Sequence, residues 1–561
     1  MIKKIENLLK ELFSSLGYNP DYAKVSVSNR PELCDFQVNG VFAIAKESGS
    51  NPKEIGESLV SKINNLDNFS DYFKTVEFAM PGFINITVSD KLISSCLNET
   101  VEKGIINKIN EDITVVIDYG GPNIAKPLHV GHLRPAIIGQ SIYNILKAKG
   151  YKVIGDVHLG DIGLQMGQVI YGLKERNLKP EDITIDILQE IYPKMSALCK
   201  EDESVADICR KITKDLQDGN EEYNAYFKVM YDVSLEDIKR LYKYLNVDFD
   251  YWYGEKDSYK YMDDLMSFLN NAGVVEEDDG AKIIRVAKDT DNKEMPPLLL
   301  QGKSGAYLYA TSDIATIYQR MKDFKPNYIL YVVDDRQSLH FEQVFRACEK
   351  SGLTPNVILE HNKFGTINGT DGKPFKTRSG EALKLDDLIK ETKEIFISKK
   401  PENKDMDQKD IDIIVNAIIK FADLQNNREK NYIFDIDKFS DVSGKTGPYI
   451  LYTAVRLRKL IGDNNYSLSD TIYNEDERNL RMKLLDASNA VDKAAFDRMP
   501  HYIAEYLYDL CNLANTFYQN NNISNEENID KKQSFIALLN EVYKIIEKLL
   551  KLLIIEIPSK M

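Results

Sequence analysis

Three short stretches decide the fold of this chain: Ile113-Thr114-Val115-Val116-Ile117-Asp118, then Asn123-Ile124-Ala125-Lys126-Pro127-Leu128-His129-Val130-Gly131-His132-Leu133-Arg134, then Lys152-Val153-Ile154-Gly155. The first is β-branched and reads as a strand. The amphipathic stretch after the histidines runs to Leu146 and Lys147 and stops at Gly150, a suitable left-handed helix cap. Lys152 to Gly155 is a second strand. Strand, helix, strand at this spacing is a βαβ unit, and the helix N-terminus after its first strand is where such folds hold phosphate. His129 and His132 share one face of the first helical turn, so both imidazoles can donate hydrogen bonds to one polyphosphate. Gly131 between them removes a side chain and lets a flat adenine approach the backbone. Lys126 adds a positive charge upstream. Alone, an H-x-G-H is equally compatible with an ordinary helix start. Four of the six histidines, His129, His132, His158 and His340, fall at predicted strand ends or helix starts.

At 561 residues the chain has room for two to four domains of roughly 150 residues each. Its 43% hydrophobic and 28% charged residues exclude disordered and collagen-like classes, and no apolar run reaches the ~18 residues of a bilayer span. Met1 to Leu12 reads as an amphipathic helix with acidic residues rather than a signal peptide, so a cytoplasmic protein with no membrane partner is expected. Cys34, Cys96, Cys199, Cys209, Cys348 and Cys511 contain no C-x-x-C pair, which argues against a zinc knuckle or a disulfide framework; no metal ligand set is assigned. A net charge of −15 argues against indiscriminate nucleic-acid binding but leaves room for a folded RNA held by local basic patches.

Residues 1–110 read as a separate α/β module that closes on a strand, turn, strand from Val76 to Val88. Residues 111–440 form the nucleotide-binding block. Its stretch from about 168 to 300 is charged and helical, includes the Tyr251-Trp252-Tyr253 cluster, and is expected as an insertion between two halves of the sheet. Two further strands are expected at Ala306–Ala310, followed by Asp313 on a new helix, and at Tyr328–Val333, followed by Asp334 to His340. Both put polar residues at strand carboxyl ends, where open α/β sheets bind ligands. Residues 441–561 are predicted all-α. Within the middle block, Gly372-Lys373-Pro374-Phe375-Lys376-Thr377-Arg378-Ser379-Gly380 is a glycine-bounded loop with three cations. Such a loop suits either plain solvation or closure over a triphosphate with stabilisation of departing pyrophosphate.

Together these segments resemble the class I aminoacyl-tRNA synthetases, and within them the arginyl-tRNA synthetase family. His129-Val130-Gly131-His132 is similar to the class's HIGH motif, and Lys376 to Gly380 to its KMSKS loop, which the arginyl branch commonly lacks in standard form. Lys126 occupies the position of the lysine thought to compensate. The resemblance implies His129, His132, Lys126, Lys376 and Arg378 as catalytic residues. It also implies ATP contacts from Gly131, His158, Gly160, Asp161, Gln165 and Ser379. Asp118 and Asn123 match the family's arginine-binding strand end, and Tyr309, Asp313 and Gln337 its other amino-acid positions. Chemistry agrees: arginine's guanidinium cannot be deprotonated, so selecting it over lysine needs carboxylates set for directional hydrogen bonds, with Asp313 the expected main partner.

The resemblance covers almost the whole chain. It implies a Rossmann-like catalytic domain, an N-terminal additional domain that meets the tRNA through Phe83 and Asn85, and a C-terminal helical anticodon-binding domain. In the last, Tyr449, Tyr452 and Arg456 can stack on bases and meet phosphates, and Met561 is expected at the tRNA as well. This sequence departs from the family at Gly121, Ile162, Pro135 and Ser559-Lys560. The implied reaction is attack of the arginine carboxylate on ATP, with Mg²⁺ on the phosphates, to give arginyl-adenylate. Transfer to the terminal ribose of tRNA(Arg) follows, the class implying the 2′-hydroxyl, and the chain is expected to act as a monomer. Alternatives are a synthetase for another amino acid, a small-molecule nucleotidyltransferase, or a non-catalytic tRNA-binding paralogue.

Overall fold

The computed structural model describes residues 1–561 apart from 304, 374 and 376–382. The chain forms two compact units: Met1–Asn107 with Arg456–Ala490 and Tyr506–Ile546, and Lys108–Val455 with Val491–Glu505 and Glu547–Met561.

The larger unit is built on a five-stranded parallel sheet. Its order is Ile358–His361, Tyr328–Val332, Thr114–Tyr119, Lys152–Leu159, Tyr251–Gly254. The central strand, Thr114–Tyr119, is buried at every position but Asp118, as expected for a parallel strand covered on both faces. The chain builds outward on one side of it and later crosses to the other, so the switch point and its crevice lie at the carboxyl end of this strand. Leu133–Ala148 is the helix anticipated after it, entered through a 3₁₀ turn at Val130–His132. Pro135 falls in the first turn, where its missing N–H leaves no hydrogen bond unmade.

Within the segment marked as a helical insertion, helices account for Leu164–Glu175, Ile185–Glu201, Glu203–Gln217 and Glu221–Tyr244. Beyond them strands alternate with one further α-helix, Met262–Asn271. Tyr251–Gly254 is the sheet's edge strand, and Glu276–Asp278, Ala281–Ile284 and Leu298–Gln301 make a separate antiparallel sheet. The aromatic cluster carries a period of two: Tyr251 and Tyr253 stack at 5.6 Å, while Trp252 meets Phe249 at 5.0 Å, as a strand's alternation requires. The strand expected at Ala306–Ala310 is not formed. Tyr307 makes a single bridge to Gln301, and Tyr309 opens the helix Tyr309–Asp323. That helix buries Ile314, Ala315 and Ile317, and helical packing wins over a short aromatic run.

In the smaller unit, Ile2–Ser15 buries Ile5, Leu9 and Phe13 against an antiparallel sheet ordered Val25–Val27, Phe36–Val38, Phe83–Val88, Phe73–Ala79. The last two strands are the anticipated strand-turn-strand. The helices Gly447–Ile461, Glu475–Leu485, Ala487–Asp497, His501–Asn520 and Ile529–Leu552 follow near the C-terminus, their residues divided between the two units. In the larger unit, Asp410 accepts hydrogen bonds from the backbone of Ser559 at 2.7 Å and Lys560 at 3.2 Å, which fixes the chain's end. All six cysteines are free thiols, and no helix among the described residues is long and apolar enough to cross a membrane.

Candidate active site

The H-x-G-H turn folds onto itself. His129 Nδ1 accepts from the Gly131 backbone N–H and His132 Nδ1 accepts from the His129 backbone N–H, both at 3.1 Å. The two rings stack at 3.9 Å. With each Nδ1 an acceptor, the ring proton belongs on Nε2. Burial, with Lys126 adding to it, lowers His129 to about 4, and burial with its neighbours' charge holds His132 well below the ordinary histidine value. Both imidazoles are therefore neutral Nε2–H donors at neutral pH. A Cβ at Gly131 would sit 2.8 Å from the His129 ring, so this glycine makes room for the folded-back imidazole, where the sequence suggested room for adenine.

Lys126 follows Ala125, which takes a left-handed φ of 60°. Its ammonium lies 5.8 Å from the Tyr192 ring centre, and burial lowers its pKa. The histidine turn is strapped from behind: Val130 N–H donates to Leu383 O and Leu385 N–H to Leu128 O, each at 2.9 Å. The strap is the chain that leaves the basic loop. Lys376, Arg378 and Ser379 lie outside the described residues.

A second cluster is set by strand register. Asp118 stands opposite Asp156 on one neighbouring strand and opposite Tyr331 on the other. Arg320, from the Tyr309–Asp323 helix, reaches over all three. Its Nε and Nη2 donate to Asp156 at 2.9 and 2.7 Å, Nη2 also to Asp118 Oδ2 at 2.6 Å, and Nη1 to Tyr331 Oη at 2.8 Å. Asp118, Asp156 and His158 converge as a metal set would, but the guanidinium is their cation. Nearby, His340 Nε2 meets Asp313 Oδ2 at 2.5 Å, which pins that carboxylate to the helix Ser338–Ser351. Burial, reinforced by Asp161 and Asp313, raises Glu255 to about 7.

Both clusters open on one cavity of about 530 Å³. Asp118, His129, Gly131, His132, His158, Asp313 and Gln337 line it, joined by Glu255, Asp334 and Phe375. His158, matched by resemblance to the ATP side, stands among the acids, its Nδ1 3.2 Å from Arg320. Lys126, Asn123, Gly160, Asp161, Gln165 and Tyr309 are not in its wall. Asn123 bridges to Gly160. Asp161 is buried, accepts from Lys256 N–H at 3.1 Å, and is raised by burial to about 6. Gln165 sits in the first turn of the helix Leu164–Glu175. Tyr309 is 66% exposed. A Cβ at Gly121 would lie 2.6 Å from the His158 carbonyl oxygen, so glycine fits where a serine would force a shift. Ile162 shows no cavity role.

The sequence reading missed Arg320, Asp156, Tyr331 and Glu255. Arg320 lies seven residues after Asp313, two turns along one helix face, a spacing that could have found it. Asp156 was lost because the strand was ended at Gly155. Elsewhere, Phe83 packs edge-on against Phe42 at 6.2 Å and Asn85 accepts from Gln37 at 2.9 Å. Tyr449 is partly buried, Tyr452 is exposed, Met561 is partly exposed, and the Arg456 guanidinium stacks 3.9 Å over Tyr518.

A family model described as tRNA synthetases class I (R), catalytic domain, matches residues 93–436. An Arginyl tRNA synthetase N terminal domain model matches 1–88 and a DALR anticodon binding domain model 450–561. The arginine--tRNA ligase of Alkaliphilus oremlandii is 41% identical, with 100% of both chains covered. Among solved structures, Thermus thermophilus arginyl-tRNA synthetase superposes with a TM-score of 0.79 at 20% identity, covering 100% of each chain. The Plasmodium falciparum enzyme gives 0.78 at 24% identity, covering 100% of this chain and 99% of the other. At those identities the structural likeness concerns the fold.

Proposed function

The chain belongs to the class I arginyl-tRNA synthetases, and from that premise we propose a division of labour in its cavity, with arginine at the acidic end and the phosphates of ATP at the histidine turn. The protein activates L-arginine with ATP and charges tRNA with it. The observation that carries the proposal is that two chemically opposite clusters share one cavity: Asp118, Glu255 and Asp313 on one side, His129 and His132 on the other.

In the first step an arginine carboxylate oxygen attacks the α-phosphorus of ATP, and the bond to pyrophosphate breaks. Charge grows on the departing phosphates, and prearranged donors lower that barrier more than an acid or base would. The two Nε2–H groups supply such donors without adding a fixed charge, Lys126 adds a positive field, and Lys376 and Arg378, matched by the family resemblance, are assigned to the departing pyrophosphate. ATP enters as its Mg²⁺ complex. In the second step the terminal ribose hydroxyl of tRNA(Arg) attacks the arginyl carbonyl and AMP leaves. Asp313, held by His340, is the main guanidinium partner, and Gln337, which also lines the cavity, meets the remaining substrate; Asn123 and Tyr309, outside the wall, are assigned to arginine by the family resemblance alone. Phe83, Asn85, Tyr449, Tyr452, Arg456 and Met561 serve the tRNA. The chain works as a monomer in the cytoplasm.

Pyrophosphate exchange into ATP, measured across amino acids with and without tRNA, tests the assignment. Exchange restricted to arginine is expected; exchange supported by lysine or glutamine alone overturns the pocket. His132→Ala should lower arginine-dependent exchange by about 10²- to 10³-fold or more with tRNA affinity retained. Near-normal exchange in that variant removes His132 from the chemistry.

A further inference from the structure

Asp156 forms no part of the cavity wall and is fully buried, yet it lies against the Arg320 guanidinium and beside Asp118. The Arg320 guanidinium is shared between the bidentate contact to Asp156 and the single bond to Asp118. Two acids and one cation leave a net charge of about −1 on the cluster, by formal counting. His158 and Tyr331, which face it, do not alter that sum. Burial and the adjacent guanidinium hold His158 below the ordinary histidine range, burial keeps the Tyr331 phenol protonated, and Asp313 is engaged with His340.

We infer that Asp156 is a positioning and specificity residue for arginine: by engaging Arg320 through two hydrogen bonds, it leaves the negative charge of Asp118 available to the cationic substrate. Without it, Arg320 cancels Asp118, and a fixed guanidinium stands where a guanidinium or ammonium group must bind. Beside the buried Arg320 that change is large, because charges a few ångströms apart there interact several-fold more strongly than in bulk water. The inference rests on the reading that the acidic end of the cavity receives arginine.

A charge cycle on the full chain separates this role from that of a structural strut. Asp156→Asn should raise KM for arginine by about 10- to 100-fold, with kcat and KM for ATP close to wild type. Asp156→Asn/Arg320→Gln should bring KM for arginine back toward wild type, since Asp118 keeps its charge once the internal cation is gone. Arg320→Gln leaves two adjacent acids without a shared cation, and, compared in a Glu255→Gln background so that the Glu255 titration does not mask it, should move the acid limb of kcat/KM for arginine to higher pH; this arm stands even if Asp156→Asn does not fold. Thermal melts followed by circular dichroism establish that folded proteins are compared. An unchanged KM in Asp156→Asn, a double variant no better than the single one, or an unmoved acid limb in Arg320→Gln overturns the inference. Wild-type protein with no arginine-dependent exchange overturns the underlying reading instead, before any variant is made.

Discussion

At the scale of single residues, Glu255 makes the most readily measured statement. Its carboxyl is lifted to about 7 by burial with help from Asp161 and Asp313, so in the free protein it is neutral below that pH and charged above it. A guanidinium binds the carboxylate, not the acid. Arginine affinity linked to Glu255 is therefore fully present above about pH 7 and lost as pH falls through that value, by about tenfold per pH unit while the group remains protonated when free and ionised when bound. Calorimetry in buffers of different ionisation heat should register proton release on arginine binding near pH 6, absent in Glu255→Gln. The histidines behave in the opposite manner. His129 is depressed to about 4, so exchange activity at saturating arginine should stay level through pH 6, where an ordinary histidine begins to charge, and fall only on approach to pH 4. A decline centred near pH 6.5 at saturating arginine would contradict the neutral-donor role.

Between elements, the helix Leu133–Ala148 is anchored by a buried ion pair. Arg134 Nε lies 2.9 Å from Asp423 Oδ2, with both side chains 1% exposed. Arg134 Nη1 also donates to Gly365 O at 2.7 Å, which ties the histidine helix to the cavity wall and to the helix Gln408–Leu424. Burying two charges costs about as much as their attraction returns, but removing one partner strands the other. Asp423→Ala should thus destabilise the larger unit by about 3–5 kcal/mol, measured by urea unfolding. Replacing the pair together, as Arg134→Met/Asp423→Leu, should recover most of that loss. Equal loss in single and double variants would mean that the pair contributes through its shape alone. The βαβ unit and the C-terminal helices were readable at this scale, because strand and helix periods are written in consecutive residues. The edge strand Tyr251–Gly254 was not, since four residues beside a long helical tract carry too little periodicity to separate from it.

For the molecule as a whole, a chain with net charge −15 must bind an anionic tRNA through local cations. Affinity for tRNA should then fall steeply with salt, log Kd rising about linearly with log salt, while arginine-dependent exchange changes less. Chelation of divalent ions should abolish exchange, and added Mg²⁺ should restore it. Light scattering should give one chain of 64.1 kDa; a species of twice that mass would rule out the monomer. What the sequence determined by itself was local or additive: the βαβ unit around Asp118 and His129, the helical C-terminal block, the absence of cysteine motifs, and a motif set specific enough to point to one family. What only the tertiary structure decided was which charges meet. Arg320 lies 164 residues from Asp156 and 202 from Asp118, and nothing local relates them. Strand order and register bring Asp118, Asp156 and Tyr331 abreast, while Asp161, Asn123 and Tyr309, all outside the strands, stay out of the cavity wall. Periodicity records which face a residue occupies, but electrostatics depends on distance in space, and that distance exists only once the sheet has formed.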